Sequence, residues 1–286
     1  MLLFRHQIMR RCAVAALILA LPALGFFVFE HLARRPSAAD VAALVETRQI
    51  ETVPEKPRSA HVPILVYHNI RPPSPTRTLS EKDRQYEVTP EQFDAEMALL
   101  SKEDYVVVSF DDLTRALRGD LALGEKSVII TLDDGRDSQY TYALPILKKY
   151  GYKATFFIFT NAIGRRGYLT WDQLKELRDA GMAIEAHTRL HPFLTRIVDD
   201  VTLRDEIIGS KKSIEEQLGI VVHYFAYPFG MYDNRVANEV KDAGFLAARG
   251  LRHAANVGPN DLFTLGGFIA TGDLGYFRNA ILGSKR

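Results

Sequence analysis

Ser127-Val128-Ile129-Ile130-Thr131-Leu132-Asp133-Asp134-Gly135 is an apolar run that ends in two carboxylates and a glycine. A run with so few polar residues reads as a strand buried on both faces, and the segment after it has helical periodicity. A later apolar run, 182–186, ends in His187-Thr188-Arg189-Leu190-His191-Pro192. One strand ending in paired carboxylates and another ending in paired histidines supply the ligands of a divalent metal and a spare carboxylate to act as base. The combination points to metal-dependent hydrolysis.

Outward from this stretch, strands and helices alternate. Apolar runs at 62–67, 105–109, 127–132, 154–159, 182–186, 222–227 and 245–248 are strand-like, and helical patterns fall at 139–150, 170–180, 200–218 and 234–243. Thr89-Pro90-Glu91-Gln92 starts a further helix with a capping box and proline at the first helical position, and Thr170 with Gln173 forms a second box. Glycines 151, 181, 219 and 244 stand just past these helices, where a left-handed cap favours glycine. Near-continuous apolar strands joined by helices predict an α/β fold with parallel strands. About seven strands in about 220 residues suit an incomplete or distorted (β/α) barrel, whose active site gathers at the C-terminal strand ends. Asp133, Asp134, His187 and the turn Tyr227-Pro228-Phe229-Gly230 all fall at such ends.

The 286 residues carry 36 basic and 35 acidic side chains with no Lys/Arg-rich block, so there is no electrostatic footprint for nucleic acid. The lone cysteine, Cys12, cannot form an internal disulfide. Arg5, Arg10 and Arg11 precede an uncharged stretch, 12–29, that is just long enough to span a bilayer. Ala23-Leu24-Gly25 resembles a signal-peptidase site, but Phe26, Phe27, Val28 and Phe29 resume directly after it, which favours an uncleaved anchor. The expected organisation is a cytoplasmic stub (1–11), a single transmembrane signal-anchor helix (12–29), a linker (30–60) containing Pro36, Pro54 and Pro57 with a short helix at 39–50, and a folded domain (61–286). That places a single-pass protein in the cytoplasmic (inner) membrane with its domain on the extracytoplasmic side.

Each motif has a plainer reading. Asp134-Gly135 is a common hairpin pair, yet the next segment is helical and not a partner strand. His187 and His191 have the spacing of a helical zinc pair, but Glu185 precedes the first histidine, so HExxH is absent, and Pro192 favours a loop. With Asp134 they offer two nitrogens and one oxygen, leaving positions open for water and substrate. Tyr227-Pro228-Phe229-Gly230 alone is a proline-glycine turn.

Taken together and in order, Thr131-Leu132-Asp133-Asp134-Gly135, the His187–His191 segment and Phe225-Ala226-Tyr227-Pro228-Phe229-Gly230 resemble the polysaccharide deacetylase family, also called the NodB-homology domain or carbohydrate esterase family four. Val62-Pro63-Ile64-Leu65-Val66-Tyr67-His68 and Tyr168-Leu169-Thr170-Trp171 resemble a branch that includes poly-β-1,6-N-acetylglucosamine deacetylases. The resemblance spans about 62–268 and implies Asp133 as general base and Asp134, His187 and His191 as ligands of a divalent ion, zinc, with cobalt or nickel as alternatives. It also implies that the Phe229 N–H donates to the oxyanion. His68 is the expected general acid, with His253 as the alternative, and Tyr67, Tyr227 and Tyr168 are expected to border the sugar. Trp171 is expected to pack in the core. Many family members carry an arginine to orient the base where this chain has Ala226, so the partner of Asp133 is unidentified. Phe229 replaces a usual tyrosine, Leu132 a usual phenylalanine, and Arg136 a usual tyrosine or small residue.

The expected activity is removal of N-acetyl groups from an N-acetylglucosamine-containing cell-surface or exported polysaccharide, releasing acetate. The alternatives are an inactive relative that binds glycan, and hydrolysis of another C–N or ester bond, such as an O-acetyl ester.

Overall fold

Strands β1 (Ile64–Tyr67), β2 (Val106–Val107), β3 (Ser127–Asp133), β4 (Thr155–Ile158), β5 (Ala183–Ala186), β6 (Tyr224–Ala226), β7 (Ala247–Arg249) and β8 (Phe268–Ile269) form one eight-stranded sheet. Its order is β7-β6-β5-β4-β3-β1-β8, with β2 also paired to β3, and every pairing is parallel. The two edges are joined through one segment: Leu265 bridges Arg249 of β7, and Phe268 pairs with Leu65 of β1. The sheet is therefore the distorted (β/α) barrel the sequence predicts, with β8 added. Two residues are too few to show a period, which is why β8 is not legible in the sequence. The computed structural model describes residues 59–74, 78 and 80–282.

Side chains alternate between the two faces of a strand. Ile64, Ile129, Phe157, Tyr224, Ala226 and Ala247 belong to one buried cluster, and their neighbours Leu65, Ile130, Phe156, Phe225 and Ala248 to another. Helix α2 (Phe110–Arg118) adds Phe110, Leu113 and Leu117 to the first cluster, which fills the barrel interior. The second lies between the strands and α1 (Pro90–Lys102), α3 (Leu144–Tyr150), α4 (Trp171–Asp179), α5 (Asp200–Leu218) and α6 (Asn234–Asp242). The capping boxes Thr89/Gln92 and Thr170/Gln173 are both formed, and Trp171 packs against the outer core. Helix α2 was not expected, although Ser109 and Asp112 give it a capping box as well, and neither was α7 (Leu274–Leu282).

The described residues all lie within one unit, Val53–Arg286. The expected stub, anchor helix, short helix at 39–50 and nearly all of the linker lie outside the described residues. Among the described residues no helix is long and apolar enough to cross a membrane.

Two buried carboxyls couple this core to pH. Glu96 of α1 accepts the Tyr67 hydroxyl at 2.8 Å, and Glu185 Oε2 of β5 accepts the His223 and Tyr224 N–H groups at 2.8 Å each. Burial pushes both carboxyls up to about 8, whereas the unfolded chain releases these protons near 4.5. Their contribution to stability is full below 4.5 and is lost as pH rises through 8. His191, pushed down to about 4 by burial, acts in the opposite direction below its unfolded value of 6.5. Thermal stability measured in chelator is therefore expected to fall between pH 6.5 and about 8, with a flatter profile in Glu96→Gln/Glu185→Gln. A level wild-type profile across that window would contradict the assignment.

Candidate metal centre

Strand parity sets what faces the barrel axis. Asp133 continues the inward series of Ile129, His68 continues that of Ile64, and Arg249 continues that of Ala247. Asp133, Asp134, His68, His187, His191 and Phe229 all line one cavity of about 590 Å³ at the C-terminal strand ends.

Asp134, His187 and His191 form the metal-capable cluster among the described residues, each offering one ligand atom. The two histidine Nε2 atoms are 3.1 Å apart, and Asp134 Oδ1 lies 3.5 Å from that of His191 and 3.8 Å from that of His187. Ligands at zinc bond lengths on a tetrahedron stand about 3.4 Å apart, so the three atoms fit such an ion. The imidazoles are prepared for it. His187 Nδ1 donates to the Ala226 carbonyl at 2.6 Å, which leaves its Nε2 lone pair facing the cluster. Burial, reinforced by His187, pushes His191 down to about 4, so its ring is neutral. Burial would raise the Asp134 carboxyl, but the groups around it, of which Arg136 is the permanent cation, outweigh that effect and hold it below the usual carboxylate range.

The backbone here is strained. Among the described residues five other than glycine have positive φ, and four of them belong to the site: Asp134 (73°), Thr188 (71°), His191 (59°) and Phe229 (58°). Several hydrogen bonds hold this geometry. Glu206, buried on α5, accepts the Arg189 and Leu190 N–H groups at 3.0 and 2.9 Å, and Thr188 Oγ1 accepts that of His191 at 2.9 Å. Gln139 Nε2 donates to the carbonyls of Asp133 (2.5 Å) and His68 (2.8 Å), tying the ends of β3 and β1 together. It opens a π-helical turn, Gln139–Ala143, a form often found at functional sites.

The partner of Asp133 is Arg249. Its Nη2 lies 2.5 Å from Asp133 Oδ1, both side chains are buried, and the guanidinium stands over the Phe157 ring at 5.1 Å. The arginine therefore comes from the end of β7 in this chain, while Ala226 occupies the neighbouring strand end. The predicted strand stopped at Ala248, one residue short of it. On the other side of Asp133, His68 Nε2 lies 4.0 Å from Oδ2, and burial lowers the pKa of His68.

The remaining expected residues divide. Tyr168 lines the cavity beneath Arg136. Tyr67 does not border it: parity with Leu65 turns its ring outward, where it is buried and donates to Glu96. Tyr227 is among the lining residues, but it follows the outward parity of Phe225 and its hydroxyl donates to the Phe263 carbonyl at 3.0 Å. His253 is outside the cavity lining, beside Phe268 and within 3.3 Å of the Tyr276 hydroxyl.

Arg136 adds a contact that its sequence position did not suggest. Its Nη2 lies 3.3 Å from Asp134 Oδ2, the oxygen facing away from the histidines, and its guanidinium covers the Tyr168 ring at 4.5 Å. Arg136 thus holds Oδ2 while Oδ1 faces the ligand cluster. Loss of such an outer partner lowers metal affinity by about 10- to 100-fold. Arg136→Ala is expected to fall in that range in a chelator-competition titration, and unchanged affinity would remove Arg136 from the centre.

Fold and site together define a parallel-stranded α/β barrel protein with a His-His-Asp cluster able to hold a metal ion at its C-terminal strand ends. Residues 120–248 match the family model described as polysaccharide deacetylase. The chain therefore carries a polysaccharide deacetylase domain. It is similar to YxkH of Bacillus subtilis strain 168, with 32% identity over 191 residues that cover 67% of this chain and 64% of that one. A poly-β-1,6-N-acetyl-D-glucosamine N-deacetylase of Staphylococcus aureus is 27% identical over 195 residues, 63% of this chain and 66% of that one. This chain spans just under two thirds of the length of both relatives. The structure of the Streptococcus pyogenes deacetylase PplD in complex with acetate superposes with a TM-score of 0.70 at 27% identity, covering 81% of this chain and all of that one.

Proposed function

We propose that this protein is a metal-dependent polysaccharide N-deacetylase that releases acetate from N-acetylglucosamine units of a cell-surface or exported polymer. The observation that carries this reading is the pairing of three metal-capable ligand atoms, 3.1 to 3.8 Å apart, with a separate buried carboxylate held by Arg249 at the same strand ends. The names of the S. aureus relative and of PplD support it, as both are called deacetylases.

Asp134, His187 and His191 would hold zinc, the ion that two imidazoles and a carboxylate suit. When bound, a divalent ion polarises an acetamide carbonyl and lowers the pKa of a coordinated water toward about 7. Asp133 Oδ2 accepts the proton of the attacking water, while Oδ1 stays fixed on Arg249. His68 Nε2, 4.0 Å from Oδ2, takes up that proton from Asp133 and delivers it to the departing amine. The Phe229 N–H, which has no hydrogen-bond partner among the described residues, donates to the developing oxyanion. Amide and water become acetate and a free amino sugar. The stretch 12–29, acting as an uncleaved anchor, would hold the domain outside the cytoplasmic membrane, where such polymers lie.

The test is to incubate the zinc-loaded whole chain with N-acetylglucosamine oligomers and with O-acetylated sugars, and to measure acetate and free amine. Equal amounts of both from the oligomers support the N-deacetylase. Acetate from the O-acetylated sugars alone would make the protein an esterase.

A further inference from the structure

Beside the metal ligands, the rim of the cavity is apolar in a way the proposed chemistry does not use. Phe229 is 44% exposed although its backbone is held at φ 58°, a strained position for an aromatic residue. Its ring stacks on Phe193, with centroids 3.9 Å apart and planes 12° apart, and Arg196 covers Phe193 at 4.4 Å. The edge-type contact between Phe229 and His191, at 4.6 Å, places this stack directly against a metal ligand. Leu190 is 57% and Met231 47% exposed; each sits beside a member of the same two motifs, and Leu190 and Phe229 both line the cavity.

Scattered exposed apolar residues need no explanation, but a strained aromatic stack continuous with a reaction cavity marks a binding surface. A pyranose ring has an apolar C–H face and a polar rim, which suits an aromatic surface bordered by a guanidinium. We propose that Phe229, Phe193, Leu190 and Met231 form a subsite for the sugar next to the one that loses its acetyl group, so that the protein prefers a polymer to a short oligomer. This rests on the deacetylase reading of the same cavity.

The test compares kcat/KM for acetate release from a disaccharide and a hexasaccharide of N-acetylglucosamine, using the zinc-loaded whole chain. The wild type is expected to favour the hexasaccharide. Phe193→Ala is expected to lower the hexasaccharide-to-disaccharide ratio by about tenfold, mainly through KM, while Phe193→Tyr keeps the ratio. Met231→Ser, at an exposed position, is expected to lower the ratio in the same direction and covers the case in which Phe193→Ala does not fold. A wild-type ratio of one, or a ratio that no variant changes, overturns the subsite. If instead the variants lose binding to anionic phospholipid vesicles at an unchanged ratio, the rim contacts membrane and the proposal fails. Calorimetric binding of the hexasaccharide separates this proposal from the deacetylase reading. Binding weakened by Phe193→Ala without acetate release from any oligomer would support the subsite and overturn the activity.

Discussion

Arg249→Met is expected to destabilise the protein by about 3–5 kcal/mol, the cost of stripping one partner from a buried ion pair. Arg249 and Asp133 are both buried, 2.5 Å apart, and no other cation is bonded to Asp133 among the described residues. Methionine fills much of the same volume but leaves the carboxylate without a counter-charge. For a domain of this size the loss corresponds to a fall in Tm on the order of 10 °C, measurable by thermal unfolding. Adding Asp133→Asn is expected to restore most of the stability, because the double variant buries no unpaired charge, while acetate release stays absent for want of a base. A shift of less than about 1 kcal/mol in the single variant would mean that the pair is solvated and that Arg249 does not position the base.

Asp134→Asn is expected to lower zinc affinity more than about hundredfold, since loss of a mere outer partner of a ligand already costs up to that much. Acetate release falls with it. Asparagine is the informative substitution because position 134 has φ 73°, a conformation asparagine tolerates and alanine resists. The fold is thereby preserved, and removal of one negative charge from the cluster is isolated from any effect on the backbone. Wild-type zinc affinity in this variant would exclude Asp134 as a ligand.

The strand ends that carry Asp133, Asp134 and His187 were legible because continuous apolar runs mark buried parallel strands, and a parallel barrel brings their C-terminal ends together. Parity would have excluded Tyr67, which was expected to border the sugar: it is adjacent to His68, so only one of them can face the axis, and the inward residue is the histidine. Arg249 was not legible, because an arginine closing a short run of alanines looks like the return to solvent. Its value comes from Asp133, which lies 116 positions away. Glu206 and Gln139 were hidden for a similar reason: each sits in a helical pattern, and its partners are main-chain groups that composition does not reveal. The strained φ values at Thr188 and His191 likewise arise from the loop's hydrogen bonds and not from residue type.

The proposed acetate release would require one bound metal ion, and a single titration tests that dependence. Chelator-stripped whole chain is titrated with zinc while the initial rate of acetate release from an N-acetylglucosamine hexasaccharide is recorded. The rate is expected to rise from baseline in proportion to zinc and to level off at one equivalent per chain. Full activity in the stripped protein, or one equivalent bound with no acetate released, would contradict it.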